Sequence, residues 1–175
     1  MAVPVTIVDR FGAPVTFVPA EGFTGRYAVL ESSAVAASHT GNTTETVLAT
    51  IPIPAGILGT NGMLRIYCDW TVTNSANDKT LRIRLGGLAG TALTGTVFTT
   101  VANAFHRMLI ANRGVANSQI ATTDRSRGTD QVSTYELFTS AINTAVDQDL
   151  VITGQLETGS ETITLENYLV ELIVP

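Results

Sequence analysis

Apolar and polar residues alternate along most of this chain, which is the pattern of β-strands that bury one face. The clearest run covers residues 64–72. Its apolar face consists of Leu64, Ile66, Cys68, Trp70 and Val72. Its polar face consists of Arg65, Tyr67, Asp69 and Thr71. A period of two sustained over this length predicts a strand with one side in the core.

Residues 81–85 alternate again after the turn-rich residues 73–78, which indicates a hairpin or a neighbouring antiparallel pair with 64–72. In that arrangement Arg82, Arg84 and Asp69 share the solvated face. Further strands are predicted at residues 46–53, 91–100, 104–111, 119–123, 131–139, 149–156 and 161–174.

The last of these strands changes phase at Glu166 and Asn167, which predicts a β-bulge or a bend. Threonine is abundant and helix-forming windows are scarce, so only residues 55–58 and 141–147 are candidates for a helical turn. The glycines between residues 86 and 90 precede another β-prone run rather than a helix, and they predict a turn rather than a phosphate-binding loop.

About eight short strands separated by Gly, Asn and Asp turns predict an all-β fold. We expect a β-sandwich of the jelly-roll type over residues 43–175, and a small β-barrel is the alternative. Residues 21–42 are rich in Gly, Ala and Ser and are predicted to be a linker, in which residues 27–30 are a candidate for a short strand.

The first twenty residues contain a repeat with a ten-residue period, in which residues 3–8 and 13–18 each place a proline before a Val-Thr pair. Two such strands cannot form a core alone, so this arm must lie against the main body, sister chains or another protein. The side chains predicted to make those contacts are Val3, Pro4, Val5, Ile7, Val8, Phe11, Pro14, Val15, Phe17 and Val18.

Composition narrows the possible partners. Hydrophobic residues make up 45% of the chain and charged residues 14%, against a usual quarter. Charge is therefore scarce for an exposed surface, and part of that surface is expected to be buried by other subunits. The net charge of −5 and the single lysine, Lys79, argue against nucleic-acid binding. No apolar run is long enough to predict a membrane span.

Residues that could carry chemistry are few and scattered. Cys68 lies in an apolar alternation and is interpreted as a small core residue. His39 and His106 have no ligand at metal-binding spacing, although His106 together with Met108 and Ile110 is a candidate interface lining. No catalytic residue, metal ion or cofactor is predicted.

The acidic and aromatic residues also favour structural interpretations. The carboxylates Glu157, Glu161, Glu166 and Glu171 are interpreted as solvated turn or strand-face residues. Trp70 is assigned to the core, whereas Tyr67 and Tyr135 are the candidates for the outer surface.

Four segments together resemble tailed-bacteriophage virion proteins. Residues 53–93, 110–119 and 150–173 resemble small phage and prophage structural proteins, and residues 3–18 are similar to the proline-headed repeats of head-fibre and capsid decoration proteins. The resemblance implies a location on the virion capsid surface, a homotrimer with a β-sandwich body, and an N-terminal arm that binds the major capsid protein. It supplies no active-site residues.

A second class of function remains open on sequence grounds. A tail-fibre or receptor-binding protein of the same architecture recognises a host-surface glycan, and this one would use loops around residues 112–114 or 122–130. An enzyme such as a depolymerase ranks third.

Overall fold

The computed structural model describes residues 5–8, 14–17, 26–127 and 136–175, and the side chains of residues 27–124 and 136–175. Every regular element in these ranges is a β-strand, and none of their residues forms a helix long and apolar enough to cross a membrane. The strands are β1 (Val5–Val8), β2 (Pro14–Phe17), β3 (Arg26–Ser33), β4 (Ala37–Thr40), β5 (Thr46–Ile53), β6 (Met63–Val72), β7 (Lys79–Leu85), β8 (Thr91–Phe98), β9 (Asn103–Asn112), β10 (Gln119–Arg127), β11 (Glu136–Ser140), β12 (Gln148–Leu156) and β13 (Thr162–Val174).

Two antiparallel sheets form a sandwich. The large sheet has the order β11-β10-β9-β6-β13-β3, with β4 also paired to β13, and the small sheet has the order β5-β12-β7-β8. The strand pairs β4–β13, β5–β12, β6–β9 and β7–β8 are nested, and they assign β4-β13-β6-β9 to one layer and β5-β12-β7-β8 to the other. That is the connectivity of a jelly roll. No described strand belongs to both sheets. The prediction of a sandwich is therefore confirmed, in preference to the alternative of a small β-barrel.

The core lies between the sheets and is filled by the alternate apolar residues that the sequence pattern selects. Ile66, Trp70, Ile83 and Ile152 are all at most 1% exposed. Each such side chain contributes about 1.5–3 kcal/mol by leaving water. Gly154 in β12 marks a close approach, because a Cβ there would lie 2.9 Å from Cγ2 of Ile163 in the opposite sheet.

The predicted pairing of residues 64–72 with 81–85 is wrong. Strand β6 pairs with β9 and β13 in the large sheet, whereas β7 pairs with β12 and β8 in the small sheet. The turn at residues 73–78 carries the chain across the sandwich instead of reversing it within one sheet. Asp69 therefore lies on one outer face of the sandwich, and Arg82 and Arg84 lie on the other.

The predicted linker at residues 21–42 also needs correction. Strands β3 and β4 fall within it and pair side by side with β13, so the sandwich includes residues from Arg26 onward. The suggested strand at 27–30 is present and longer than expected. Small residues indicated a linker, but their backbone groups complete the edge of the large sheet.

Two local predictions are confirmed. The pairing of β13 with β6 shifts register between Leu165 and Asn167, at the predicted bulge. Gly86 and Gly87 have φ values of 92° and 74° and donate both backbone amides to the carbonyl of Asp149, so this glycine segment is a turn. The two candidate helical turns at 55–58 and 141–147 contain turns without a helix.

The turn that crosses between the sheets closes around Lys79, which is fully buried. Its Nζ donates to the carbonyls of Ser75 and Asn77, at 3.2 and 2.6 Å, and to Ser75 Oγ at 2.8 Å. Glu161 Oε2 lies 3.9 Å away, and Glu161 Oε1 accepts hydrogen bonds from Ser75 Oγ and Asn77 Nδ2. The Ser75 hydroxyl, with Asn77 and Lys79, holds the pKa of the Glu161 carboxyl below its ordinary value.

We expect Lys79→Met to lower the free energy of unfolding by about 3–5 kcal/mol, because it leaves the Glu161 carboxylate buried without its counter-charge. Urea denaturation followed by tryptophan fluorescence measures the loss. The double variant Lys79→Met/Glu161→Gln is the control and should recover part of it. A loss below about 0.5 kcal/mol in Lys79→Met would show that the ion pair does not stabilise the turn.

Candidate interaction surfaces

Along the strand direction, the outer face of the large sheet changes from an apolar half to a polar half. We call the end where β3 begins the Arg26 end; Arg26 pairs there with Val174 of β13. Three rows of outward residues next to this end form what we call the apolar patch. Read from β11 to β3, the rows are Thr139, Ile120, Ala111, Met63, Ile173 and Tyr27; then Leu137, Thr122, Leu109, Arg65, Glu171 and Val29; then Asp124, Arg107, Tyr67, Leu169 and Ser32.

Aliphatic and aromatic side chains dominate the apolar patch. Leu137 is 59% exposed, Tyr27 52% and Val29 45%, and Leu109 and Leu169 between them are partly buried. Tyr27 and Val29 lie on β3 at one margin of the sheet and Leu137 lies on β11 at the other margin, with Leu109 and Leu169 on strands between them. The patch therefore has the composition of an interface rather than of a solvated strand face.

Arginine and aromatic side chains alternate through the middle of the patch. The Arg65 guanidinium lies 5.3 Å from the ring centre of Tyr27 and 5.9 Å from that of Tyr67. The Arg107 guanidinium lies 5.9 Å from the Tyr67 ring and 5.0 Å from the ring of Phe105, which borders the patch. These distances are in the range of cation–π attraction, so each ring is covered in part by a cation of the same chain.

The charges inside the apolar patch balance. Glu171 is only 5% exposed and accepts a hydrogen bond from Arg65 Nε at 2.6 Å. Burial raises the pKa of the Glu171 carboxyl. Asp124 is the register partner of Arg107 in the neighbouring strand. Two arginines and two acids make the patch neutral, although the chain carries −5.

The same face is polar farther from the Arg26 end. Asn167 Nδ2 donates to Asp69 Oδ2 at 2.9 Å, and the Thr71 hydroxyl donates to Glu166. Asp69 and Thr71 are exposed. This half of the sheet presents an ordinary solvated face.

The outer face of the small sheet is covered by a charged network. Arg84 donates to both carboxylate oxygens of Glu45, at 2.8 and 2.9 Å, and Arg82 Nη1 lies 3.2 Å from the same carboxylate. The Thr153 hydroxyl also donates to Glu45, at 2.6 Å. The network covers the strand face, so that Val151 and Thr153 are 3% and 0% exposed although they point outward. Val47 and Val97 on the same face are 37% and 41% exposed, so the network covers part of this sheet.

The loops at the Arg26 end are tied together by a buried amide network. Asn112 Nδ2 donates to the carbonyl of Gly59 at 2.7 Å and to Thr144 Oγ1 at 2.9 Å, and Gln119 Nε2 donates to Asn112 Oδ1 at 2.9 Å. These bonds hold together three connections between strands, at residues 54–62, 113–118 and 141–147. Val115 and Val146 project from the last two and are about half exposed.

The predicted arm contacts fall partly within the described backbone. Strands β1 and β2 pair antiparallel in a sheet of their own, with Val5 opposite Phe17, Ile7 opposite Val15 and Val8 opposite Pro14. Val3, Pro4, Phe11 and Val18 lie outside the described residues. The role predicted for this arm therefore stays a prediction.

Several residues predicted to lie on the surface are buried. His106, Met108 and Ile110 are on the inner face of β9, so the suggested interface lining is wrong; His106 Nε2 lies 2.7 Å from Thr96 Oγ1. Glu161 and Glu171, interpreted as solvated, are each 5% exposed. The alternation identifies a strand, but it does not show which of its two faces lies inward or which carboxylate is covered by its neighbours.

The core assignments of Trp70 and Cys68 are confirmed, since each is 1% exposed. Burial strongly raises the pKa of the Cys68 thiol, so the reactive thiolate is disfavoured. Tyr67 lies on an outer face as predicted, and the side chain of Tyr135 is outside the described residues. Within the described ranges, no group of three or more His, Cys, Asp and Glu side chains is placed to hold a metal ion.

Sequence reasoning missed the apolar patch as a unit. Its members are separated in the chain and become neighbours only through the order of the large sheet. One signal was available: Leu109 and Leu169 are apolar residues at positions that strict alternation assigns to the polar face.

The strand connectivity places this chain among β-sandwiches of the jelly-roll class. No protein-family model matches the chain, and no curated protein matches it. Among solved structures it is similar to a seed lectin from Lotus tetragonolobus, with a TM-score of 0.44 and 8% identity over 88% of this chain and 94% of the lectin. It is also similar to peanut lectin with a bound nine-residue peptide, with a TM-score of 0.43 and 6% identity over 99% of this chain and 100% of the lectin.

A further similar structure comes from a bacteriophage. It is the CBM2 module of the evolved Dit of Lactobacillus casei BL23 phage J-1, with a TM-score of 0.38 and 11% identity over 70% of this chain and 67% of the module. All three similarities are too distant to identify a function.

We expect Glu45→Gln to lower the free energy of unfolding by about 1–2 kcal/mol at pH 7, because it removes a carboxylate held by two arginines. The hydrogen bond from Arg84 lowers the pKa of Glu45, so its contribution is present above the unfolded-state pKa of about 4.3 and is lost as the pH falls through the lowered folded-state pKa. Urea denaturation of both proteins between pH 7 and pH 3 should show their difference shrinking. A difference that is independent of pH would contradict this assignment.

Proposed function

We propose that this chain is a structural protein of a tailed-bacteriophage particle, which decorates the capsid surface as a homotrimer and stabilises it. One observation carries the proposal: the apolar patch on the large sheet lies next to the end at which the N-terminal arm joins the sandwich. The chain thus enters the sandwich, at Arg26 of β3, at the end that carries the apolar patch.

The two outer faces of the sandwich support a role in assembly. The Glu45–Arg84–Arg82 network covers part of the small sheet, where Val47 and Val97 stay exposed, and the patch on the large sheet exposes Leu137, Tyr27 and Val29 to a greater extent. Tyrosine and arginine are enriched at the centres of protein interfaces, and lysine is depleted there. The low charge of the whole chain agrees with such burial.

The arm supplies the attachment in this proposal. Its two strands pair with each other, and none of their described pairings joins them to the sandwich sheets. The edges of such a strand pair can add to a strand of another protein through main-chain hydrogen bonds. Three arms in one trimer raise the effective concentration of each, so weak single contacts give tight binding.

Glycan recognition is the second candidate, and the outward-facing aromatic residues Tyr27, Tyr67 and Phe105 favour it. Sugars stack on open ring faces, but these rings lie against Arg65 and Arg107. The loop at residues 113–114 is at the Arg26 end, which in the capsid proposal faces the particle rather than the host. Binding of the isolated protein to a glycan array, abolished by Tyr67→Ala, would favour this candidate.

Deletion of residues 1–19 should abolish binding to the capsid while leaving a folded sandwich. The test is co-sedimentation of the purified protein with phage heads assembled without it. Circular dichroism and the melting temperature report on the fold. A loss of at least about tenfold in affinity is expected, because three attachment points are removed together.

The matched control is Val47→Asp, a change of one exposed apolar residue on the small sheet, which should bind heads as the wild type does. Unchanged binding after the deletion would show that the arm is not the attachment element. Failure of the full-length protein to bind any head would contradict the capsid proposal itself.

A further inference from the structure

We infer that Asn61 is a modification site, where the side-chain amide is lost by spontaneous deamidation whenever the turn of residues 58–62 opens. We call this turn the Gly62 turn. Asn61 is exposed just before β6, and the buried Gly62 follows it. None of the other asparagines in the chain precedes a glycine. The inference concerns the chain itself and does not depend on the proposed function.

The fold requires a glycine at position 62. A Cβ there would overlap the carbonyl oxygen of Leu58 and lie 2.9 Å from the Leu58 Cα. Both are main-chain atoms, and the Gly62 amide donates to that same carbonyl at 2.8 Å. Because neither can move aside without breaking the turn, position 62 excludes every residue that has a side chain.

A glycine after asparagine favours one reaction. The backbone nitrogen of Gly62 attacks Cγ of Asn61 and closes a five-membered imide, and the side-chain nitrogen leaves as ammonia together with the amide proton. Water then opens the imide at either carbonyl. The product is aspartate or, with one more methylene in the main chain, isoaspartate. A side chain on the attacking residue obstructs the ring closure, and glycine has none.

The closed turn holds the attacking nitrogen in place. The Gly62 N–H is bonded within the turn, and the Gly62 carbonyl accepts from the Asn112 amide at 3.0 Å. On the other side of Asn61, the Thr60 carbonyl accepts from the Gly114 amide at 2.9 Å. The main chain is thus fixed on both sides of Asn61, and ring closure has to rotate it. Local opening of the turn is therefore the step that controls the reaction.

Buried side-chain bonds keep the Gly62 turn closed. Asn112 Nδ2 donates to the carbonyl of Gly59 at 2.7 Å and to Thr144 Oγ1 at 2.9 Å. Asn112 and Thr144 are only 5% and 1% exposed, so water does not replace these bonds in the folded chain. Loss of one of them should raise the population of the open turn by about fivefold.

The two products differ in how they fit the turn. An aspartate side chain at position 61 is solvated, because Asn61 is exposed. Isoaspartate lengthens a main chain that hydrogen bonds hold on either side. Asn61→Asp should therefore melt close to the wild type, whereas chains that carry isoaspartate should melt at a lower temperature.

The first experiment compares the folded full-length chain with the same chain unfolded in guanidinium chloride, at one pH and one temperature. Peptide mapping by mass spectrometry locates each replacement of an amino group by a hydroxyl group, and tryptophan fluorescence confirms the folding state. In guanidinium chloride Asn61 should convert before any other asparagine. In the folded chain it should convert at least about tenfold more slowly.

Two results of this experiment would overturn the inference. One is an equal rate at Asn61 in the folded and unfolded chains, which would show that the turn does not control the reaction. The other is earlier conversion of a different asparagine in the unfolded chain. Asn61→Gln tests the assignment of the site, because it should abolish the conversion at this position.

The second experiment loosens the Gly62 turn. Asn112→Ala removes the bonds to Gly59 and Thr144, and Thr144→Val removes one of them if the first variant does not fold. In the folded state either variant should convert Asn61 about fivefold faster than the wild type. In guanidinium chloride the rates of all chains should be equal.

Glu45→Gln is the matched control, because it weakens the charged network on the small sheet and leaves the Gly62 turn intact. It should convert Asn61 at the rate of the wild type. A rate as high as that of Asn112→Ala would show that global unfolding controls the reaction, and the inference would be wrong. It would also be wrong if folded Asn112→Ala and Thr144→Val converted Asn61 no faster than the wild type.

Discussion

The burial of alternate residues between two sheets is the constraint on which the rest of this structure depends. Every strand that contributes Ile66, Trp70, Ile83 or Ile152 to the core also presents its other residues outward. Those outward residues cannot help the core and must be satisfied by solvent, by each other or by another molecule. The outward residues of the two sheets therefore determine which other molecules the sandwich can contact.

The two sheets meet this requirement differently. On the small sheet Glu45, Arg82, Arg84 and Thr153 hydrogen-bond to one another and cover the apolar atoms beneath them. On the large sheet charged groups are also paired internally, as in Arg65 with Glu171, but leucine, valine and tyrosine side chains surround them. Val47 and Val97 remain exposed on the first face, and Tyr27, Val29 and Leu137 are exposed to a greater extent on the second.

The sequence pattern predicted the strands well because period-two alternation is a local property. The boundaries of β5 and the bulge of β13 follow from it directly.

Which strands pair is not a local property of the sequence. The expected hairpin between residues 64–72 and 81–85 is wrong because the intervening turn crosses between layers. The linker prediction failed for a related reason: small residues in β3 and β4 are compatible with a sheet edge, and only the pairing with β13 shows that they form one. The apolar patch required the complete strand order, which no single segment contains.

The crossing turn has a practical consequence. It encloses the side chain of Lys79, and the chain contains no other lysine. Reagents that modify lysine amines, such as succinimidyl esters and amine crosslinkers, therefore find no accessible lysine side chain on the folded sandwich. In a particle mixed with other proteins, such reagents would not modify a lysine side chain of this sandwich, and carboxylate- or arginine-directed chemistry is needed to map its neighbours.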